Sequence, residues 1–172
     1  MTGCDVRIFI VGFMAAGKTT IGRELATFLD ASFVDLDERV EAAFGLPVAE
    51  VFETRGETTF RAEEARQLAQ CGRFARLVMA TGGGTFCSLP NRRMIGRLGL
   101  SVFVDVPWET ILSRLPGKRG NRPLFRAPEQ ALALYSARLP HYHQADMTVR
   151  PLPDESPASI ARRIAAGLGG AT

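Results

Sequence analysis

The chain has 172 residues, of which 46% are apolar and 23% charged, an ordinary balance for a globular protein. This length most simply forms one domain, residues 1–172, that can bury a substantial core. The formal net charge is +3, but the 21 basic residues form no basic arm, and no apolar run reaches the roughly 18 residues of a membrane span. We therefore expect neither a nucleic acid nor a membrane as a partner.

The chain contains three cysteines, Cys4, Cys71 and Cys87, and they form no C-x-x-C pair. An odd number without paired spacing disfavours a disulfide framework or a zinc site and indicates a reducing compartment. We therefore expect a cytoplasmic protein. We also expect a monomer whose partners are small molecules.

Apolar patterns alternate between strand-like and helix-like along the whole chain. The strand-like segments are 6–11, 32–35, 76–81, 101–106 and 146–149. The helix-like segments are 18–29, 37–44, 48–54, 57–71, 89–97, 107–115, 129–142 and 157–167. Strands that alternate with helices predict an α/β fold with a mainly parallel sheet covered on both faces. In such sheets ligands bind beyond the carboxyl ends of the strands, so functional residues should follow strands directly.

The first strand-like segment runs into residues 12–19, Gly-Phe-Met-Ala-Ala-Gly-Lys-Thr, which match G-x-x-x-x-G-K-[ST]. Between a strand and a helix, this loop directs several backbone N–H groups and the positive end of the helix dipole at one place. Lys18 can there reach the outer phosphates of a nucleotide, and the Thr19 hydroxyl can coordinate Mg²⁺. We predict a phosphate site, rather than a simple glycine-containing turn, formed by Gly12, Ala15, Ala16, Gly17, Lys18, Thr19 and Thr20.

Ala15 departs from the commonest form of this loop, because many P-loops have a further glycine at that position. If the backbone there needs a positive φ, alanine is strained by about 1 kcal/mol. The general pattern requires only the two glycines, the lysine and the threonine. We therefore expect the loop to form.

Two carboxylates stand at the end of the second strand-like segment, at Asp35 and Asp37. Residues two apart in an extended strand point the same way, so both should face one side. Beside the P-loop, one can hold Mg²⁺ through water and the other can meet a substrate hydroxyl. The alternative is a solvated strand end at which Asp37 caps the following helix.

Three further features are informative only in combination. Arg61 and Glu64 are three apart on a predicted helix and can pair, although a surface ion pair is the usual explanation. Gly82–Gly84 follow the third strand, where glycines serve either a tight turn or the close approach of another group. Arg138 alone is most simply a surface arginine.

The segment 116–128 interrupts the alternation, since it is rich in glycine, proline and cations and has little apolar content. Its four positive charges lie within a chain that carries a P-loop. We interpret it as a lid that closes over phosphates; the alternative is an exposed mobile loop.

Together these segments resemble the shikimate kinase family, in the same order and over essentially the whole chain. The P-loop alone is shared by many families, whereas the remaining series is much more specific. The resemblance implies a three-layer α/β/α P-loop kinase fold with a five-stranded parallel sheet, a mobile lid over about 115–128 and a shikimate-binding helical region over about 37–64. It rests on residues 12–19, Asp35-Leu36-Asp37, Phe60-Arg61 with Glu64, Gly82–Gly84, Asn121-Arg122-Pro123-Leu124 and Arg138.

The resemblance also implies an activity, the transfer of the γ-phosphoryl group of ATP to the 3-hydroxyl of shikimate, a step toward chorismate and the aromatic amino acids. Lys18 would cradle the β- and γ-phosphates, and Thr19 would bind Mg²⁺ with Asp35 behind it. Asp37 would accept hydrogen bonds from shikimate hydroxyls, including the one phosphorylated, and is the candidate base. Arg122 would swing in with the lid against the transferring phosphoryl group.

The same resemblance assigns the residues that bind the shikimate carboxylate and the adenine of ATP. Arg61 and Arg138 would grip the shikimate carboxylate, helped by the backbone of Gly82, Gly83 and Gly84. Arg114 would stack on adenine, with Pro157 on the other side of that pocket.

Several other interpretations compete with this one. A gluconate-type P-loop kinase would share the nucleotide residues but need not carry Arg61, the glycine triplet and Arg138 together. A nucleoside monophosphate kinase or a GTPase is disfavoured, because neither a second base pocket nor an N-K-x-D motif is evident. A catalytically silent binding module would be expected to lose Lys18, Asp37 or Arg122, and all are present.

Overall fold

Five parallel strands form one sheet at the centre of the computed structural model, which describes residues 6–115 and 128–169. The sheet order is β2-β3-β1-β4-β5, and every neighbouring pair is parallel. The strands are β1 (Val6–Val11), β2 (Ser32–Asp35), β3 (Arg76–Ala80), β4 (Leu100–Val104) and β5 (Met147–Val149).

Helices connect the strands, as parallel pairing requires. In the described part of the chain they are α1 (Lys18–Phe28), α2 (Leu36–Phe44), α3 (Val48–Ala69), α4 (Leu89–Leu98), α5 (Trp108–Arg114), α6 (Pro128–Tyr142) and α7 (Pro157–Gly169). Two short 3₁₀ turns lie at Gln70–Arg73 and Thr85–Cys87. The predicted α/β class with a five-stranded parallel sheet is confirmed. None of the helices described here is long and apolar enough to cross a membrane.

The order of the strands places the P-loop at the switch point of the sheet. β1 lies in the middle, with β3 on one side and β4 on the other, so the chain crosses over in both directions from it. Residues 8–11 of β1 are at most 1% exposed, as expected for a central strand buried on both faces. A crevice opens beyond the carboxyl end of such a strand, and residues 12–17 occupy it.

The predicted helices 48–54 and 57–71 are joined into one element, α3, with a break where the sequence placed the boundary. Gly56 has φ 79° and ψ 161°, which is not helical, and the chain changes direction there. The segments on both sides pack against α2 through a small apolar cluster separate from the main core. Its buried members are Val40, Val51 and Phe60.

Candidate active site

The P-loop backbone adopts the left-handed conformation at three positions. Gly12 has φ 143°, and a Cβ there would lie 3.0 Å from the Val104 carbonyl oxygen, so only glycine fits. Gly17 has φ 86° and precedes the first turn of α1. Ala15 has φ 60°, which confirms that this position needs a positive φ and that alanine carries the expected backbone strain.

Lys18 and Thr19 begin helix α1 and face the loop. The Lys18 side chain is buried, and its Nζ donates a hydrogen bond to the Phe13 carbonyl oxygen at 2.9 Å, which folds the amine back across the loop. The Thr19 hydroxyl donates to Asp35 Oδ2 at 2.7 Å. The end of β2 is thereby tied to the start of α1.

Asp35 also caps helix α2, which corrects one part of the sequence interpretation. Its Oδ1 accepts hydrogen bonds from the backbone N–H of Asp37 at 3.0 Å and of Glu38 at 3.4 Å. The capping residue is therefore Asp35, and Asp37 lies in the first turn of the helix. Strand alternation predicted that the two carboxylates share one face of the strand. They do not, because the strand ends at Asp35.

A second pocket adjoins the P-loop and is lined by the residues predicted to bind the substrate. Its wall reaches the P-loop at Met14, and a Cβ on Gly83 would lie 3.6 Å from the Met14 backbone nitrogen. The pocket is lined by side chains from α2, α3 and α6 and by the turn after β3. The predicted substrate residues in its lining are Asp37, Arg61, Gly82, Gly83, Gly84 and Arg138.

The glycine triplet makes room for three charged side chains. A Cβ on Gly82 would lie 2.7 Å from Asp37 Oδ1, and one on Gly84 would lie 2.5 Å from Arg61 Nη2. A Cβ on Gly83 would lie 3.2 Å from Arg138 Nη1. None of the three glycines has a positive φ. The triplet therefore allows the close approach of charged side chains, and it also forms a turn, since the Thr85 N–H donates to the Gly82 carbonyl oxygen at 3.2 Å.

Arg61 is held by two carboxylates, one in the pocket wall and one exposed to solvent. Its Nη1 donates to both carboxylate oxygens of Glu64 at 3.1 Å, and its Nε and Nη2 each donate to Glu57 at 3.3 Å. The Glu64 side chain is fully buried and also accepts from the Thr85 hydroxyl at 2.7 Å. Burial raises the pKa of Glu64, while the charge of Arg61 and the Thr85 hydroxyl act in the opposite direction. The alternative of a surface ion pair is therefore wrong, and Thr85 was missed in the sequence.

Arg138 approaches the same pocket from α6. Its guanidinium carbon lies 6.0 Å from the centre of the Phe13 ring, above a P-loop residue. One turn later, the buried hydroxyl of Tyr142 donates to the Gly83 carbonyl oxygen at 2.5 Å. Sequence reasoning did not identify Tyr142, because only its four-residue spacing from Arg138 could have indicated it.

A larger open cleft lies on the other side of the P-loop. Its volume is about 1100 Å³, and its walls are residues 15–17, the start of α1, helix α5, the loop after β5 and the first turns of α7. Arg114 and Pro157 both line it, together with Thr20, and Arg114 Nη1 donates to the Ala15 carbonyl oxygen at 3.3 Å. The loop near Ser156-Pro157, which the resemblance placed beside the adenine, contributes residues 150–155 to this wall. Arg122 and the rest of the predicted lid, residues 116–127, lie outside the described residues.

The family model described as "Shikimate kinase" matches residues 14–168, which include most of the P-loop and all the lining residues of the second pocket and of the open cleft. The chain belongs to the shikimate kinase family.

Individual relatives agree with the assignment to the shikimate kinase family. A shikimate kinase from Ruegeria pomeroyi is 39% identical over 164 residues, covering 94% of this chain and 84% of the relative. One from Synechococcus is 38% identical over 162 residues, covering 92% and 85%. Among solved structures, a shikimate kinase from Acinetobacter baumannii in complex with shikimate gives a TM-score of 0.89 at 34% identity, covering 96% of this chain and 93% of that one.

Membership of the shikimate kinase family confirms the predicted fold and enzyme class. The fold is that of a P-loop kinase, and the enzyme is an ATP-dependent phosphotransferase with an alcohol group as acceptor. The family resemblance drawn from the motifs is likewise confirmed.

Proposed function

We propose that this chain transfers the γ-phosphoryl group of ATP to the 3-hydroxyl of shikimate through the residues assembled around its P-loop. One observation carries the proposal. Asp37, Arg61 and Arg138 come from three different helices, yet they line a single pocket that touches the P-loop at Met14. One carboxylate and two guanidinium groups are the set that a small acid with several hydroxyls requires.

The two arginines bind the substrate carboxylate in this proposal. Guanidinium groups form paired, charge-assisted hydrogen bonds to carboxylates. Arg61 is oriented by the buried Glu64, and Arg138 lies against Gly83, where the absence of a side chain leaves the backbone accessible. Shikimate held there places its hydroxyl groups toward Asp37, which accepts hydrogen bonds from them and serves as the base for the hydroxyl that attacks.

Lys18 and the backbone N–H groups of residues 12–19 bind the ATP phosphates. The Lys18 amine is positioned across the loop by the Phe13 carbonyl and neutralises charge on the β- and γ-phosphates. Phosphoryl transfer depends mainly on positioning and on neutralising charge. Arg122, known here from the sequence alone, is proposed to supply a further positive charge, and Arg114 and Pro157 to enclose the adenine.

The residues present fit a magnesium ion. Thr19 and Asp35 offer a hydroxyl and a carboxylate oxygen 2.7 Å apart beside the P-loop, and hard oxygen donors are what Mg²⁺ prefers. Mg²⁺ commonly needs only one or two protein ligands besides phosphates and water. It is thus compatible with the finding that no cluster of three or more His, Cys, Asp or Glu occurs among residues 6–115 and 128–169. When bound, the ion neutralises phosphate charge during transfer.

A coupled ADP-release assay tests the proposal with shikimate, quinate, gluconate or no acceptor. We expect rapid turnover with shikimate only, and NMR of the product should show phosphate on the 3-hydroxyl. A Lys18→Met variant, which keeps a long side chain without the amine, should be inactive. Turnover with gluconate instead would support the gluconate-type alternative, and shikimate binding without turnover would support a silent module.

The proposal also includes the domain organisation, the oligomeric state and the cellular location of the chain. The chain would act as one domain, residues 1–172, with a lid over about 115–128 and a shikimate-binding region over about 37–64. It would work as a monomer in the cytoplasm. Size-exclusion chromatography with light scattering should give the mass of a single 18.7 kDa chain.

A further inference from the structure

The chain has two tyrosines, and both lie on helix α6 with their hydroxyl groups directed at backbone carbonyls. Tyr142, the last residue of α6, is 0% exposed, and its hydroxyl donates to the Gly83 carbonyl oxygen at 2.5 Å. Tyr135 is half-buried, and its hydroxyl donates to the Val106 carbonyl oxygen at 3.3 Å. The shorter, buried bond joins α6 to the turn that forms one wall of the substrate pocket.

The ring of Tyr142 is fixed independently of its hydroxyl. It stacks on Phe103 with centroids 5.3 Å apart and planes at 29°. Phe103 lies in turn against the start of the P-loop, since a Cβ on Gly12 would be 3.5 Å from its ring. The ring therefore has little freedom, and the hydroxyl oxygen occupies a defined point between α6 and the glycine triplet.

The same hydroxyl interacts with Arg138. Tyr142 and Arg138 are four residues apart on one helix, so their side chains are neighbours on the same face of α6. Burial raises the pKa of Tyr142 above its usual range, so the phenol keeps its proton. That proton is donated to the Gly83 carbonyl oxygen, next to which the Arg138 guanidinium lies.

We propose that Tyr142 is a positioning residue that sets the place of the Arg138 guanidinium relative to the Gly83 backbone and so tunes binding of the substrate carboxylate. The proposal rests on the assignment of Arg138 and Gly83 to shikimate in the proposed function. The separation between the Arg138 guanidinium and the Gly83 backbone, which Tyr142 sets in this proposal, is small. A Cβ on Gly83 would be only 3.2 Å from Arg138 Nη1, so a modest displacement changes what fits between them.

Tyr142→Phe tests this directly, because it keeps the ring and its stack and removes only the hydroxyl. A lost hydrogen bond in a buried site predicts a rise in the KM for shikimate of about tenfold. We expect kcat and the KM for ATP to change less than about twofold, since the P-loop contacts of the ring persist. Circular dichroism and thermal unfolding check that the variant is folded.

Tyr135→Phe is the matched control. It makes the same chemical change on the same helix, at a hydroxyl bonded to Val106 rather than to Gly83. Its KM for shikimate should equal that of the unmodified enzyme. An equal rise in both variants would overturn the proposal, because a general effect on α6 would then explain it.

A double-mutant cycle separates positioning from simple support of the fold. If the hydroxyl acts through Arg138, Tyr142→Phe should have no further effect on shikimate binding in an Arg138→Ala background. Additive effects would overturn the inference. Failure of Arg138→Ala alone to weaken shikimate binding would instead overturn the proposed function, so the two failures are distinguishable.

¹⁹F NMR of the two tyrosines, which keeps both hydroxyl groups in place, supplements the kinetics of the variants. Fluorotyrosine at both positions gives two ¹⁹F resonances, which Tyr135→Phe assigns. Saturating shikimate should shift the resonance of Tyr142 more than that of Tyr135. An unmoved Tyr142 resonance would contradict the inference.

Discussion

Gly84 controls the position of Arg61 at the scale of a single residue. Its φ of −100° is open to alanine, so a substitution there creates no backbone strain. The added Cβ, however, would lie 2.5 Å from Arg61 Nη2 and 2.9 Å from the guanidinium carbon. Gly84→Ala should displace the guanidinium and raise the KM for shikimate about 10–100-fold, the loss expected for charge-assisted hydrogen bonds. Steady-state kinetics with each substrate varied in turn measures this.

Gly96→Ala provides the control for Gly84→Ala. Gly96 lies in helix α4, and a Cβ there would meet nothing within 4 Å. Alanine at this site should stabilise the protein by roughly 0.5–1 kcal/mol and leave both KM values unchanged. If Gly84→Ala folds normally and binds shikimate as tightly as Gly96→Ala, Arg61 does not hold the carboxylate.

Sequence reasoning succeeded at Ala15 and failed at Tyr142 for a physical reason. The positive φ at Ala15 follows from a local loop pattern whose geometry is contained within eight residues. The contact between Tyr142 and Gly83 joins positions 59 residues apart in the chain. No local periodicity encodes such a contact, and only the packing of α6 against the turn after β3 creates it.

At the scale of elements, the junction of β2 and α2 depends on Asp35. One of its oxygens caps α2 and the other accepts from Thr19 on α1. Asp35→Asn retains an oxygen for the cap but loses the charge, so stability should change little. The Mg²⁺ concentration for half-maximal rate should rise about 10–100-fold, as when other groups supporting a metal are lost.

Asp35→Ala distinguishes the two roles of this side chain, which are the capping of α2 and the proposed support of Mg²⁺. It removes the cap as well as the charge and should cost about 0.5–2 kcal/mol of unfolding free energy, measured by urea denaturation. Magnesium titrations of both variants complete the comparison. An unaltered Mg²⁺ requirement in Asp35→Asn would contradict the proposed metal site.

The same junction shows why element boundaries limited the sequence interpretation. The strands and helices themselves were predictable, because their apolar periods extend over many residues. The side-chain directions of Asp35 and Asp37 were inferred by continuing strand alternation across a point where the strand has already ended. The helix begins at Leu36, one residue earlier than predicted, so Asp37 reaches the pocket from the first turn of α2 and not from a strand.

At the scale of the whole molecule, the topology brings Asp37, Arg61 and Arg138 together. Asp37 follows β2 and the glycine triplet follows β3, so both stand at the carboxyl edge of the sheet beside the P-loop. Arg61 and Arg138 lie on helices, and nothing in their local sequence indicates which way they face. Their convergence was anticipated from the family resemblance, and the packing of α3 and α6 supplies its physical cause.

This convergence predicts that shikimate stabilises the folded enzyme without nucleotide. A ligand that binds only the native state at 100 times its Kd adds about 2.7 kcal/mol, and for a chain of this size that corresponds to a rise in Tm of roughly 5–10 °C. Differential scanning calorimetry with and without shikimate measures the shift. In Arg138→Ala the same shikimate concentration should give a rise of only about 1 °C, if the lost ion pair weakens binding about a hundredfold. Gly96→Ala should retain the full shift. Because the measurement involves no turnover, an undiminished rise in Arg138→Ala would show that shikimate binds elsewhere, whatever the kinetics of the variants.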